Sequence, residues 1–169
     1  MGTQHSPVKR ILLLLADGFS ETQAMLYVSE FRESGLPLKI VGLTKRPVQS
    51  EHGVRIIPDL SIDTVIQTPF SIKLLILSDG QAAITVWLAD PRTQLLLDRV
   101  QNQGGYLVTT AESVEMVKSA LPLSSPLQLH QEPPAQDTNS SVLHVLVAPT
   151  DCNGLLKRFV QRLTSLLAE

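Results

Sequence analysis

The stretch Gly104–Ser113, GGYLVTTAES, has the form of a strand, a sharp turn and a helix start. Many α/β enzymes set a nucleophile on such a turn. Here the apex carries Thr109 and Thr110, with neither cysteine nor serine. A threonine hydroxyl attacks a carbonyl only with an adjacent base to take its proton. A second chemistry competes for the same residues. Thr109-Thr110-Ala111-Glu112 reads as a capping box, which stabilises a helix start by about 0.5–2 kcal/mol. The single cysteine, Cys152, is the other candidate nucleophile. It follows Asp151 at the expected start of the last helix, where the helix dipole lowers a thiol pKa and the Asp151 carboxylate raises it. No histidine adjoins it in sequence, and a small structural cysteine is the competing reading. His5, His52, His130 and His144 are scattered, so neither they nor Cys152 offer zinc-ligand spacing. No metal and no cofactor is expected.

The elements that must position these residues follow from the apolar pattern. Arg10 to Ala16 is a near-continuous aliphatic run, the mark of a central parallel strand covered on both faces. Asp17-Gly18-Phe19 is a turn, and Ser20-Glu21-Thr22-Gln23 reads as a capping box opening a helix that Gly35 stops. Leu38 to Leu43 is a second strand. Ser50 to Gly53 is a hairpin turn before a short strand, Val54 to Ile57. Pro58 to Ser61 ends that strand, and a short helix runs to Gln67. Leu74 to Leu77 is a third buried strand, ending at Ser78-Asp79-Gly80. Pro91 suits the first turn of an amphipathic helix over Thr93 to Gln101, and Gly104-Gly105 lies past its end. Tyr106 to Thr109 is a fourth parallel strand, followed by a helix from Ala111 to Ala120. Residues 121–139, rich in Pro, Ser and Gln, form a surface excursion with a short strand around Leu127 to Leu129. Val142 to Ala148 is the last strand. Thr150-Asp151 caps a helix with Leu155, Leu156, Phe159, Val160, Leu163, Leu166 and Leu167 at helical spacing.

Strands alternating with helices predict a three-layer α/β/α sandwich on a flavodoxin-like, mostly parallel sheet. The 169 residues are expected to form one domain, with 7–118 and 140–168 as its core. In such folds the ligand crevice lies beyond the carboxyl ends of the strands. That rule selects the loops at Asp17–Gln23, Ser78–Gln81, Thr109–Ser113 and Pro149–Gly154. A net charge of −2 gives no field to attract nucleic acid or an anionic membrane, and Lys9-Arg10 or Lys157-Arg158 alone is a weak basic patch. The leading apolar run is too short to span a bilayer or to be a signal-peptide core. One cysteine suits a reducing compartment, so a cytoplasmic location is expected. Trp87, in AAITVWLADPR, sits on a helix either as an exposed interface residue or packed on the sheet.

The order of these segments carries a resemblance. ILLLLADGFSETQAMLYVSEFRESGLPLKIVGLTKRPVQSEHGVRIIPDLSIDTV, LADPRTQLLLDRVQNQGGYLVT and LHVLVAPTDCNGLLKRFVQRL together resemble the ThiJ/PfpI superfamily, the class I glutamine-amidotransferase-like fold, and the ligand-sensing domains of AraC-type regulators built on it. The resemblance is weak over 119–139, where this chain is shortened. In catalytic members a cysteine stands at the elbow, in the position of Thr110, beside a carboxylic acid in the position of Gln23. Backbone amides at the positions of Ser78, Asp79 and Gly80 help form the oxyanion site, and His130 matches a family histidine. The elbow cysteine, the acid and the oxyanion turn are all altered here. Gln23 cannot accept a proton, and Asp79 puts the wrong charge beside a developing oxyanion.

The resemblance therefore implies a non-catalytic, ligand-sensing, regulatory or protein-interaction module. Its crevice is lined by Asp17, Gln23, Asp79, Gly80, Thr109, Thr110, His130 and Cys152, with Gln23 and Thr110 able to bond across it. A homodimer is implied, with a small-molecule ligand or a protein partner. No DNA-binding segment follows the closing helix, so a regulatory role is expected to need a partner. The alternative is a cysteine-dependent hydrolase, glyoxalase or redox-stress enzyme using Cys152. A further alternative is a degenerate receiver domain, with Asp17, Asp79 and the Thr-Ala step as its remnants. Against that stand Ala148, where a lysine is needed, and PVQSEHGVRIIPD, which has no place in a receiver.

Overall fold

The computed structural model describes residues 9–120, 126–132, 142–150 and 154–167. Seven strands form one parallel sheet: β1 (Lys9–Leu14), β2 (Leu38–Gly42), β5 (Leu60–Ser61), β6 (Ser71–Leu77), β7 (Tyr106–Thr110), β8 (Leu127–His130) and β9 (Leu143–Ala148). Their order is β5-β2-β1-β6-β7-β9-β8. The aliphatic run beginning at Ile11 forms β1 because only a strand flanked and covered on both faces hides such a run from water. Leu12, Leu13 and Leu14 are fully buried between β2 and β6. The remaining strands, β3 (Val48–Gln49) and β4 (Arg55–Ile56), form a separate antiparallel hairpin.

Two helices, α1 (Glu21–Glu33) and α6 (Leu155–Leu167), pack together on one face of the sheet. The other face carries α2 (Ile62–Gln67), α3 (Gln81–Ala89), α4 (Pro91–Asn102) and α5 (Ala111–Ala120), each touching another of its layer. Right-handed crossovers demand this division, since the chain moves outward from β1 to β2 and then back across β1 to β6. The α6 pattern holds, with Leu156, Phe159, Val160 and Leu163 turned inward. Pro91 starts α4, and Asp90 caps it by accepting from the Arg92 amide.

The expected α/β/α sandwich is present, with two departures at its edges. Leu60–Ser61, read as a strand terminator, is a two-residue edge strand beside β2. The excursion's short strand, β8, joins the main sheet as its other edge, parallel to β9. Trp87 is fully buried, so the packed alternative holds and the exposed one is set aside.

Among the described residues no helix is long and apolar enough to cross a membrane.

Candidate functional site

The strand order reverses direction between β1 and β6, so the loops leaving their carboxyl ends part there and open a crevice. Two glycines let these loops touch. Gly18 (φ +85°) and Gly80 (φ +121°) hold backbone conformations that side chains disfavour. A Cβ on Gly80 would stand 2.3 Å from the Gly18 carbonyl oxygen. The Ser20 amide then donates to the Asp79 carbonyl at 2.8 Å, fusing the two loops.

Asp79 consumes the polar groups around it. One carboxylate oxygen accepts from the Gly80 amide at 2.9 Å, and the other accepts from the Gln23 side-chain amide at 3.5 Å, a long contact. Gly80 N–H is thus turned to a fixed carboxylate and away from any incoming oxyanion. Gln23 is 3% exposed. Ser20 makes no side-chain capping bond, so the Ser20–Gln23 box does not form. The reason is tertiary: the Ser20 N–H, which the box would pair with the Gln23 side-chain oxygen, donates to the Asp79 carbonyl instead.

The elbow box shifts as well. Helix α5 begins at Ala111, which makes Thr110, not Thr109, the residue before it. Three residues on stands Ser113, and the Thr110 and Ser113 hydroxyls bond at 2.9 Å. Thr109 belongs to the fully buried strand β7, and its hydroxyl has no partner among the described residues. Thr110 is 1% exposed, and no described residue other than glycine has a positive φ. The strained, exposed apex that activates an elbow nucleophile is therefore missing. Gln23 and Thr110 each bond elsewhere and not to one another.

Asp17 is turned away to the hairpin. Its carboxylate accepts from the Gln49 amide at 2.8 Å, while Gly18 donates to the Gln49 carbonyl at 2.8 Å. Beside it stands a pair that sequence reasoning missed, His52 Nδ1 and Glu21 Oε1, 2.6 Å apart. The Glu21 carboxyl is held below its usual range by its own backbone amide, with burial opposing and His52 and Ser50 assisting. Glu21 and His52 are 31 residues apart, and only the hairpin's docking on the Phe19 backbone joins them.

His130 lies on the edge strand β8. Its Nε2 is 2.9 Å from His144 Nδ1, with the rings stacked at 5.1 Å and Tyr106 edge-on to His144. No described contact joins His130 to Thr110 or Gln23. Cys152 and Asp151 lie outside the described residues, and α6 is described from Leu155. Among the described residues no three metal-ligating side chains come together.

The histidine pair carries a pH prediction. One facing nitrogen must stay unprotonated for the rings to bond. Burial, then the neighbouring His144, lowers the His130 pKa. The unfolded chain then binds the proton more readily, so the pair's stabilisation is full above the ordinary histidine value of about 6.5 and is lost as pH falls toward the folded value. The thermal midpoint is expected to fall between neutral pH and pH ~5.5, with a shallower fall in His130→Gln. An identical pH slope in that variant would sink this account.

A groove of about 530 Å³ lies between the carboxyl-terminal halves of α3 and α5, at residues such as Ala89, Met116 and Ala120. Both helices run back from the crevice, so that groove sits toward the opposite end of the sheet and does not bear on it.

Comparison with known proteins bears on the fold and the family. The profile of the DJ-1/PfpI family matches residues 9–119. The Parkinson disease protein 7 homolog of Danio rerio is 38% identical over 69 residues, which is 40% of this chain and only 36% of that protein. Drosophila melanogaster DJ-1beta superposes with a TM-score of 0.69 at 21% identity, covering 95% of this chain and 90% of its own. A DJ-1 superfamily protein from Salmonella typhimurium gives 0.68 at 19% identity, with the same coverage. Toxoplasma gondii DJ-1, solved in an oxidized form, gives 0.69 at 16% identity, again covering 95% and 90%. At these identities the structural likeness speaks for the fold. The hairpin segment that a receiver domain has no place for lies inside the matched range, which sets the receiver alternative aside. With two-thirds of its length under one family profile and the fold to match, the chain belongs to the DJ-1/PfpI family.

Proposed function

We propose that this chain is a non-catalytic DJ-1/PfpI domain that works by binding, as a ligand-sensing, regulatory or protein-interaction module. One observation carries the reading: three of the groups at the positions of the family's chemistry are bonded to neighbouring side chains. Gly80 N–H and Gln23 are held by Asp79, and Thr110 is held by Ser113. A buried hydroxyl without a base is a poor nucleophile, and a fixed carboxylate opposes a developing oxyanion. A cytoplasmic homodimer is part of the proposal, the dimer as the family resemblance implies.

The test is turnover and thiol reactivity together. Incubated with a panel of small aldehydes and peptides, the protein is expected to give no rate above buffer. Alkylation followed by mass spectrometry is expected to label Cys152 no faster than a free thiol, with an apparent pKa not below ~8.5. Steady turnover abolished by Cys152→Ala would overturn the proposal in favour of a cysteine-dependent hydrolase, glyoxalase or redox-stress enzyme.

A further inference from the structure

We propose that the Asp79–Gly80 step is a site of spontaneous covalent modification, closing to a succinimide and reopening as isoaspartate, and that the fold aims the reaction there. This goes beyond the reading above, and it holds whether or not the crevice takes a ligand.

The chemistry needs one backbone nitrogen, one carboxyl carbon and water. The Gly80 nitrogen attacks Cγ of Asp79, and the new C–N bond closes the succinimide ring. The nitrogen's proton and the carboxyl's hydroxyl leave together as water. Water then adds to one of the two ring carbonyls. Opening at one restores aspartate, and opening at the other runs the main chain through Cβ as isoaspartate. A glycine on the carboxyl side favours the attack, because no side chain crowds its nitrogen.

The described residues hold two Asp-Gly steps, Asp17-Gly18 and Asp79-Gly80, and the structure treats them oppositely. At the first, the hairpin engages both groups. The Asp17 carboxylate accepts from the Gln49 amide, and the Gly18 amide donates to the Gln49 carbonyl, each at 2.8 Å. At the second, the Gly80 amide donates to Oδ1 of Asp79 itself at 2.9 Å. Nitrogen and carboxyl carbon therefore rest side by side, the proximity that speeds an intramolecular attack. Tertiary bonds keep that peptide in place, since the Asp79 carbonyl accepts from the Ser20 amide and the Gly80 carbonyl from the Ile84 amide. Asp79 is only half-buried, so water reaches the ring.

Ring closure consumes both the Gly80 N–H and the carboxylate that Gln23 contacts. Isoaspartate adds a main-chain carbon beside Gly80, where even a Cβ would stand 2.3 Å from the Gly18 carbonyl oxygen. The modification therefore loosens the two fused loops.

The full chain should be incubated at mildly acid pH, folded and in urea, and sampled by peptide mapping. A succinimide appears as the loss of one water, and electron-transfer fragmentation separates isoaspartate from aspartate. Asn153-Gly154 closes the same ring by losing ammonia, so its peptide is scored apart. In the folded chain, Asp79 is expected to convert at least as fast as in urea. The ratio of conversion at Asp79 to that at Asp17 should be severalfold higher folded than in urea. Asp79→Glu should abolish the signal at that step and leave Asp17 as it was, with circular dichroism checking the fold. Slower conversion of Asp79 in the folded chain than in urea overturns the proposal. So does a ratio that folding leaves unchanged or lowers.

Discussion

Gly80→Ala is expected to cost about 2–6 kcal/mol of stability, the sum of about 1–3 for a strained backbone and about 1–3 for overpacking. The glycine sits at φ +121°, and an added Cβ would meet the Gly18 carbonyl oxygen at 2.3 Å and the Phe19 Cα at 3.0 Å. Both are backbone atoms, so no rotamer change relieves the clash. Moving them apart pulls on the Ser20–Asp79 bond and, through Gly18, on the hairpin held by Gln49. Gly35→Ala is the matched control. It also has a positive φ, +73°, but nothing lies within 4 Å of its would-be Cβ. That substitution should cost only the conformational penalty, about 1–2 kcal/mol. Urea unfolding of the two variants measures the difference. Each kcal/mol should appear as roughly 2–4 °C of thermal midpoint in a chain of this size. Equal losses in both variants would mean the two loops are not fused at the crevice, and the account of how Asp79 is positioned would fail with them.

The fold was legible because its signals are local and strong. Ile11 to Ala16 and Leu74 to Leu77 can hide only as central strands, Pro91 fits a first turn, and Gly53 permits the hairpin turn. What escaped the sequence are choices made by partners far along the chain. Ser20–Gln23 and Thr109–Glu112 both satisfy the capping pattern. Yet the Asp79 carbonyl takes the Ser20 N–H, and the start of α5 at Ala111 moves the pairing to Thr110 and Ser113. The edge strand Leu60–Ser61 is too short to show alternation. Arg158 read as one half of a weak basic pair beside Lys157. Only the fold separates them, sending Lys157 to Glu30 and leaving Arg158 exposed. Helix α3, QAAITVWLA, is apolar almost all round, so its periodicity could not say which face holds Trp87.

Trp87→Ala is expected to destabilise the protein by about 3–5 kcal/mol, a large share of the roughly 5–15 available to a domain. The indole is fully buried on α3, whose neighbours α4 and α5 close over the sheet. Its removal leaves a hole that close-packed aliphatic side chains fill only in part. Trp87→Phe should behave differently. The indole N–H is buried with no hydrogen-bond partner among the described residues, and an unmet buried donor costs about 1–3 kcal/mol. Phenylalanine gives up some packing volume and removes that donor at the same time, so the two changes oppose each other. A net loss within about 1–2 kcal/mol is expected. The Trp87 carbonyl, which accepts from the Thr93 hydroxyl at 2.6 Å, is untouched by either substitution. Denaturant unfolding followed by far-ultraviolet circular dichroism compares them, since the chain's one tryptophan is the residue removed. If Phe proves as costly as Ala, the indole nitrogen has a partner after all and holds α3 by a bond as well as by volume. If Phe is nearly neutral, shape alone keeps Trp87 in place. Because the ring faces the core, neither variant should change the oligomeric state of the fraction that remains folded.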